Sequence, residues 1–455
     1  MRGFTGAQHA RVTLSGMTAR RLAAVVMVLG VVLVVALIAS SGGGERPAAS
    51  VRQPTASPSP TPSPEPARQE SIEPAGITEH LRALQRAAGE EDTRAAGTAG
   101  DRETARYIAE RLKAAGYRVS EQAFRVPLFL ERSPARISGL RRGRDFRTLN
   151  FSGGGEADGR ARSVGLGCER ASLAGLRRGE VVLADRGVCT FEAKARLAQR
   201  AGAGALLVVS NGAEPFTGSL RGPGVRIPVL SVGSEAGRGL AGRGRVRVSV
   251  NADSGRRTTR NVIAETGPAG AARVVMAGAH LDSVPAGPGL NDNGSGVAAV
   301  LEAAEQLAGR RLPEGAAVRV GFWGAEEIGL VGSRRYVDRL SRGERGRIRA
   351  YVNLDMVGSP RAEAAVYDGE DEDGRRIEAA LRRGLPRDAP GEDLGGASDD
   401  ASFSRGGIAV GGVFTGLDRC YHRACDTLEN VDARLAARAA RATADALVEL
   451  GREAG

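Results

Sequence analysis

The stretch GAHLDSVPAGPGLNDNGSG, residues 278–296, joins the end of an apolar segment to a glycine-rich turn. It contains His280, Asp282 and Asp292, although the whole chain has only four histidines. One interpretation is a loop with an incidental histidine. The other is half of a metal site, completed by residues further along the chain. The apolar run before His280 predicts a buried strand, and the residues after the turn predict a helix.

From residue 260 onward, apolar strands alternate with helical segments. This alternation predicts an α/β fold with a mixed, mostly parallel sheet flanked by helices. In such sheets, ligands gather at the carboxyl ends of the strands. Side chains able to bind a metal follow the predicted strands at these ends: His280, Asp292, Glu326, Glu327, Asp355 and His422.

Histidine and carboxylate ligands without cysteine are typical of a catalytic rather than a structural zinc site. Two histidines, two terminal carboxylates and one bridging carboxylate would hold two zinc ions, about 3.5–4 Å apart in such centres. If Glu327 is a ligand, its neighbour Glu326 is left free to act as general base. The sequence therefore predicts a hydrolytic centre with two Zn²⁺ ions.

The motifs HLD, NDNGSG, FWGAEEIGLVGSRRYV, NLDMVGSP and CYHRACD resemble the double-zinc aminopeptidases of bacterial secreted type. These enzymes are part of a wider glutamate carboxypeptidase-like metallopeptidase family. The resemblance covers residues 77–135 and 257–455 and implies a zinc-exopeptidase fold acting on peptide substrates. Where many relatives have serine-aspartate-histidine, this chain has Ser398-Asp399-Asp400, which puts the details of substrate binding in doubt.

The resemblance also implies a role for each residue of the site. His280 and Asp355 would hold one zinc ion, Glu327 and His422 the other, and Asp292 would bridge both. Glu326 would be the general base, and the carboxylate of Asp282 would orient the His280 ring. Tyr421 would donate its hydroxyl to the oxyanion of the tetrahedral intermediate.

Between the two matching segments, residues 136–256 have short β-rich runs and many glycines. They resemble the protease-associated (PA) domain, a module that is usually a non-catalytic lid or substrate-access insert in exopeptidases. The chain would therefore have a first peptidase part (71–135), the PA domain (136–256) and a catalytic part (257–455). The residues that carry this match are Arg186, Gly187, Cys189, Phe191, Lys194 and 201–203.

The four cysteines allow three disulfide pairings. Pairing within each domain, Cys168 with Cys189 and Cys420 with Cys425, is favoured by their positions, and the second pair would stiffen the loop carrying Tyr421 and His422. Free thiols or a cysteine zinc site are the alternatives, but CxxC spacing is absent.

The amino-terminal region predicts export. Residues 22–39, LAAVVMVLGVVLVVALIA, form an uncharged run long enough to span a bilayer, with Arg20 and Arg21 before it. We expect residues 1–21 in the cytoplasm, a transmembrane signal anchor at 22–39, and a Pro/Ser/Thr-rich linker at 40–70. The catalytic part would lie outside the cell membrane, or be secreted if the segment is cleaved.

The net charge of +11 does not indicate a nucleic-acid partner, because the arginines are scattered and only 4% of residues are aromatic. The expected partners are peptide substrates and the membrane. A carboxypeptidase, a glutaminyl cyclase or a non-catalytic receptor-like binding protein are the alternative functions. His80, in the first predicted helix, is interpreted as an ordinary surface or packing histidine.

Overall fold

The computed structural model describes residues 72–308, 310, 312–393 and 396–452 of the chain. The α-helices in these residues are α1 (Pro74–Ala88), α2 (Ala99–Ala114), α3 (Phe191–Arg200), α4 (Ser234–Ala241), α5 (Gly294–Ala308), α6 (Val331–Arg339), α7 (Arg342–Arg347), α8 (Glu372–Arg382), α9 (Asp400–Arg405) and α10 (Ala433–Leu450). The strands are β1 (Arg118–Ile137), β2 (Phe146–Thr148), β3 (Gly155–Gly159), β4 (Ala161–Ser163), β5 (Val181–Asp185), β6 (Ala205–Val209), β7 (Val229–Val232), β8 (Val246–Thr266), β9 (Arg273–His280), β10 (Ala316–Trp323), β11 (Ile348–Leu354), β12 (Ala365–Tyr367), β13 (Gly391–Glu392) and β14 (Val410–Phe414).

The larger sheet has the strand order β1-β8-β10-β9-β11-β14-β12-β13, and β3 also pairs with β8. Strands β10, β9, β11 and β14 are parallel neighbours. Strand β8 is antiparallel to β1, β3 and β10, and β12 is antiparallel to β14. The mixed α/β fold is therefore confirmed. The sheet is less parallel than the sequence predicted, because β1 and β8 join it as an antiparallel ribbon.

Helix α5 forms the centre of the layer on one face of this sheet. Its sequence is apolar on nearly all sides, and it packs against β9, α1 and α10. Helix α10 begins at Asp432, whose side chain accepts hydrogen bonds from the backbone N–H groups of Arg434 and Leu435. The alanine-rich buried face of α10 lets it lie close to α5. Since α5 starts just after Asp292, its position fixes that part of the site.

The inserted part has its own five-stranded sheet, in the order β2-β7-β6-β5-β4, with β4 to β7 parallel. The disulfide Cys168–Cys189 is present, with 5.8 Å between the Cα atoms. The ribbon of β1 and β8 pairs from Arg118 and Glu265 to Ile137 and Val248. Both domain boundaries expected from the sequence thus fall inside strands that run continuously from one part to the other.

The predicted membrane anchor, residues 22–39, lies outside the described residues. A helix needs about 20 mostly apolar residues to cross a bilayer. Within the described ranges, no helix combines sufficient length with sufficient apolar character. The prediction of a cell-membrane protein is corrected accordingly: the residues that the structure describes contain no membrane-spanning helix.

The only tryptophan of the chain, Trp323, is fully buried at the end of β10. Its ring lies 4.9 Å from that of Tyr336 and 5.6 Å from that of Phe403, measured between centroids. A Cβ atom on Gly321 would lie 2.2 Å from Cζ2 of Trp323. The ring therefore occupies space that a side chain at position 321 would need.

We expect Gly321→Ala to lower the free energy of unfolding by about 1–3 kcal/mol, because overpacking forces the core apart. The fluorescence of Trp323 during urea unfolding measures this change directly. Gly343→Ala on α7 is the matched control, since a Cβ there meets no atom within 4 Å. Equal unfolding midpoints for the two variants would contradict the predicted clash.

Candidate active site

The candidate site lies at one edge of the larger sheet, where its parallel strands end. His280 ends β9 and is paired with Trp323, the last residue of β10. Asp355 follows β11 directly. The side chains line a cavity of about 110 Å³. Its walls are formed by His280, Asp292, Glu326, Glu327, Asp355, Met356, Ala397, Ser398, Phe414, Leu417, Tyr421 and His422.

The five predicted ligands form two groups that share Asp292. In the first group, Nε2 of His280 lies 3.4 Å from Oδ1 of Asp292 and 3.4 Å from Oδ1 of Asp355. In the second, Nε2 of His422 lies 3.1 Å from Oδ2 of Asp292 and 3.2 Å from Oε2 of Glu327. The two oxygens of Asp292 therefore face different histidines.

Asp282 connects the first histidine to Glu326. Its carboxylate Oδ1 accepts a hydrogen bond of 3.0 Å from the backbone N–H of Glu326. Nδ1 of His280 lies 3.1 Å from the main-chain carbonyl oxygen of Asp282, but 3.9 Å from the carboxylate. The sequence placed the Asp282 carboxylate against the histidine ring, whereas in the structure the main-chain carbonyl is the nearer group.

The backbone around the site takes the left-handed conformation at several non-glycine residues. Ala325, just before Glu326, has φ of 62°, and Met356, just after Asp355, has φ of 49°. His422 itself has φ of 58°. Such residues are uncommon in proteins and persist only where the surroundings enforce them. These three residues change the direction of the backbone next to Glu326, Asp355 and His422.

Arg94, which sequence reasoning missed, holds the loop after His280. Its side chain is fully buried. It donates to the carbonyl oxygens of Leu281, of Pro288 at 2.7 Å, and of Gly289 at 2.6 Å. Burial lowers the pKa of Arg94, and nearby carboxylates led by Asp282 act in the opposite direction. One guanidinium thus ties together both ends of the loop between His280 and Asp292.

Asp426, also missed from the sequence, joins the loop that carries Asp292 to the loop that carries His422. Its Oδ1 accepts from the backbone N–H of Asn291 at 2.8 Å, and its Oδ2 from that of Asp292 at 2.9 Å. Asp426 follows Cys425, whose predicted disulfide with Cys420 is present. The short disulfide loop is therefore fastened to the segment of Asp292 by a carboxylate.

A chain of hydrogen bonds leads from the aromatic core to Asp355. Trp323 Nε1 donates to the Tyr351 hydroxyl at 2.8 Å, and this hydroxyl donates to Oδ1 of Asn353 at 2.9 Å. Asn353 Nδ2 donates to Ser398 Oγ at 3.0 Å, and Ser398 donates to Oδ2 of Asp355 at 2.7 Å. The segment that departs from the family pattern thus still orients a predicted ligand.

The pKa values reflect an excess of buried negative charge. Burial raises the pKa of Glu326 to about 10; His280 acts in the opposite direction, and the carboxylates of Asp399, Asp355 and Glu327 raise the pKa further. Burial also raises the pKa of Glu327 to about 7, even though His422 hydrogen-bonds to it.

The negative charge of the carboxylates raises the pKa of both histidines of the site. Hydrogen bonds to Asp292 and Glu327 raise the pKa of His422 to about 10. Burial lowers the pKa of His280, but the charges of Asp355 and Glu326 raise it well above the ordinary value. The carboxylates thus exceed the positive charge that two imidazoles supply, so a divalent cation would fit the site.

The ligand atoms of the site also suit a divalent cation. Oε1 of Glu327 and Oδ1 of Asp355 are buried, and among the described residues neither has a hydrogen-bond partner. Buried carboxylate oxygens are otherwise hydrogen-bonded or bound to a metal. His280, Asp292 and Glu327 each offer a ligand atom within 4.8 Å of the others. Imidazole nitrogen and carboxylate oxygen are ligands that zinc accepts.

Tyr421 lies at the rim of the cavity and stacks on His422, with 3.8 Å between ring centroids. Its side chain is 37% exposed. Burial and the neighbouring carboxylates, Asp292 first, raise its pKa to about 12. At neutral pH its hydroxyl is therefore protonated and able to donate a hydrogen bond.

Comparison with known proteins identifies the family of the chain. The profile of peptidase family M28 matches residues 261–447, and that of the PA domain matches residues 158–240. A probable lipoprotein aminopeptidase of Mycobacterium tuberculosis is 37% identical, over 78% of this chain and 80% of the relative. An aminopeptidase of Pseudomonas aeruginosa is 34% identical, over 79% of this chain and 78% of the relative.

Solved structures give the same result. A zinc aminopeptidase from Bacillus subtilis superposes with a TM-score of 0.59 at 28% identity, covering 83% of this chain and 95% of that one. The aminopeptidase from Aneurinibacillus sp. strain AM-1 has the same score and identity, covering 83% and 94%. The chain belongs to peptidase family M28 and carries a PA domain. The family and the aminopeptidase class expected from the sequence are confirmed.

We expect Arg94→Lys to lower the free energy of unfolding by about 2–4 kcal/mol, because one ammonium cannot reach all the carbonyl groups and leaves some buried without a donor. Urea titration measures the change. Arg106→Lys is the control, since Arg106 is an exposed arginine of α2 that pairs only with surface glutamates among the described residues. If the two variants were equally stable, Arg94 would not be the group that holds the loop.

Proposed function

We infer that the chain is a zinc aminopeptidase, a hydrolase that releases the amino-terminal residue of a peptide. Membership of peptidase family M28 and the aminopeptidases among its relatives support this activity. For the site, the proposal rests on one observation. Two groups of ligand side chains share Asp292, while Glu326 is left outside both.

We propose that these two groups would hold two zinc ions. His280 and Asp355 would hold one ion, Glu327 and His422 would hold the other, and Asp292 would be a ligand of both. When bound, zinc supplies a Lewis acid for the substrate carbonyl and lowers the pKa of water. The buried oxygens of Glu327 and Asp355 that lack hydrogen-bond partners within the described structure are the atoms that such ions would satisfy.

Glu326 acts as the general base. Its carboxylate lines the cavity, 3.9 Å from Nε2 of His280, and its backbone is held by Asp282. It accepts a proton from the attacking water and passes it to the amine that leaves when the peptide bond breaks. Tyr421 donates its hydroxyl to the carbonyl oxygen as that oxygen becomes anionic.

We expect the full chain, loaded with zinc, to hydrolyse dipeptide substrates with a free amino terminus but not the same dipeptides with an acetylated amino terminus. A carboxypeptidase would instead require a free carboxylate, and a glutaminyl cyclase would act only on amino-terminal glutamine. Chromatography of the products distinguishes these activities, because a carboxypeptidase would also cleave the acetylated dipeptides and a cyclase would release no amino acid.

Glu326→Gln is the matched control for this assay. Glutamine has the same shape but cannot accept the proton, so turnover should fall by about 10²–10⁴-fold while the zinc content stays unchanged. Normal turnover in this variant would refute the role of Glu326. Equal cleavage of free and acetylated substrates would refute the aminopeptidase.

We expect Tyr421→Phe to lower kcat by about 10²–10³-fold with little change in KM or zinc content. The hydroxyl acts chiefly once negative charge has developed on the oxygen, so its loss affects turnover rather than binding. Steady-state kinetics and metal analysis separate these effects. A higher KM with unchanged kcat would mean that Tyr421 binds the substrate in its ground state.

A further inference from the structure

A second cluster of metal-ligand side chains lies between helices α1, α2 and α5, apart from the catalytic cavity. Nε2 of His80 lies 3.3 Å from Oε1 of Glu302 and 4.0 Å from Oε1 of Glu305. Ligand atoms of all three residues lie within 4.8 Å of one another. Glu302 is eight residues beyond Gly294, where α5 begins, so the cluster is about 12 Å along the helix from that end.

His80 is placed as a metal ligand would be. Its side chain is 1% exposed, and its buried Nε2 has no hydrogen-bond partner among the described residues. Nδ1 lies 2.6 Å from the hydroxyl of Tyr107. With the proton on Nδ1 and donated to Tyr107, Nε2 directs its lone pair toward the two glutamates. Metal-binding histidines commonly use their second ring nitrogen in this way.

Both glutamates lie beside His80, and different contacts hold each of them there. Arg111 donates to both oxygens of Glu305 at 2.7 Å, which fixes the carboxylate while leaving lone pairs free. Glu302 lies against Gly76, where a Cβ atom would be 2.0 Å from Oε1. The missing side chain at position 76 therefore makes room for this carboxylate. Both glutamates are partly exposed, so an ion can reach them from solvent.

We propose that His80, Glu302 and Glu305 form an additional site for a divalent transition-metal ion, with Zn²⁺ as the ion that the ligands suit best. One imidazole and two carboxylates leave a fourth position for water in a tetrahedral zinc site. An imidazole ligand disfavours Ca²⁺ and Mg²⁺, which take oxygen ligands. The site is independent of the catalytic centre, since it shares none of its residues.

An ion at this position would link α1 to α5. The side chains come from segments more than 200 residues apart in sequence, so the ion would act as a cross-link between the first helix and the helix that starts beside Asp292. Because an ion that binds only the folded state stabilises that state, bound zinc should raise the thermal unfolding midpoint.

The test is the zinc content of the full chain after saturation with zinc and gel filtration. We expect Glu302→Gln to bind one equivalent fewer than the wild type, with aminopeptidase activity unchanged. Glu79→Gln is the matched control, because Glu79 is exposed and lies 3.6 Å from the same Arg111 but does not belong to the cluster. This control should bind as much zinc as the wild type. The difference does not depend on how many ions the catalytic centre holds.

His80→Gln provides an independent variant and should also lose one equivalent. For each variant, the rise in unfolding midpoint caused by zinc reports binding even if the protein starts from a lower stability. The rise should be smaller in Glu302→Gln and His80→Gln than in the wild type and Glu79→Gln. Equal zinc content and equal rises in all four proteins would overturn the proposal and leave His80 and Glu302 as neighbouring side chains without an ion between them.

Discussion

Burial of negative charge is the constraint on which the catalytic part of this protein depends. The carboxylates of Asp292, Glu326, Glu327 and Asp355 converge on one small cavity, and an uncompensated buried charge is strongly unfavourable. Two imidazoles offset part of it, and the shared position of Asp292 between them spreads its charge over both. A site of this composition suits bound cations.

The loops around the site are held by groups whose charge is opposite to that of the backbone atoms they meet. Arg94 binds loop carbonyl oxygens, and Asp426 binds loop N–H groups. A chain of hydrogen bonds through the neutral side chains of Asn353 and Ser398 holds the carboxylate of Asp355. Protein groups thus hold the loop between His280 and Asp292 and orient Asp355. Such pre-organisation keeps the ligand positions from depending on the metal alone.

Helix α5 connects the catalytic cavity to the proposed second metal site. Its first turn follows Asp292, and its later turns carry Glu302 and Glu305. The helix is apolar on most sides and packs closely against several elements, so it holds the cavity and the His80 cluster at a fixed separation. The β1–β8 ribbon plays a comparable part for the PA domain, since the same strands belong to the larger sheet and continue toward the insert.

The amino-acid sequence by itself determined the α/β fold and the PA insert, and it named side chains that line the cavity. It could do so because strand and helix periodicities are local, and the carboxyl ends of parallel strands necessarily meet at one edge. Only the family resemblance predicted that His280 is grouped with Asp355 and that Glu327 is grouped with His422. The extent of antiparallel pairing was underestimated, and the membrane location was wrong. Arg94, Asp426 and the surroundings of His80 depended on the tertiary structure, because Arg94 and Asp426 bind loops, and His80 meets Glu302, more than a hundred residues away in sequence. Contacts of that kind leave no periodic signal, and only packing decides which distant side chains meet.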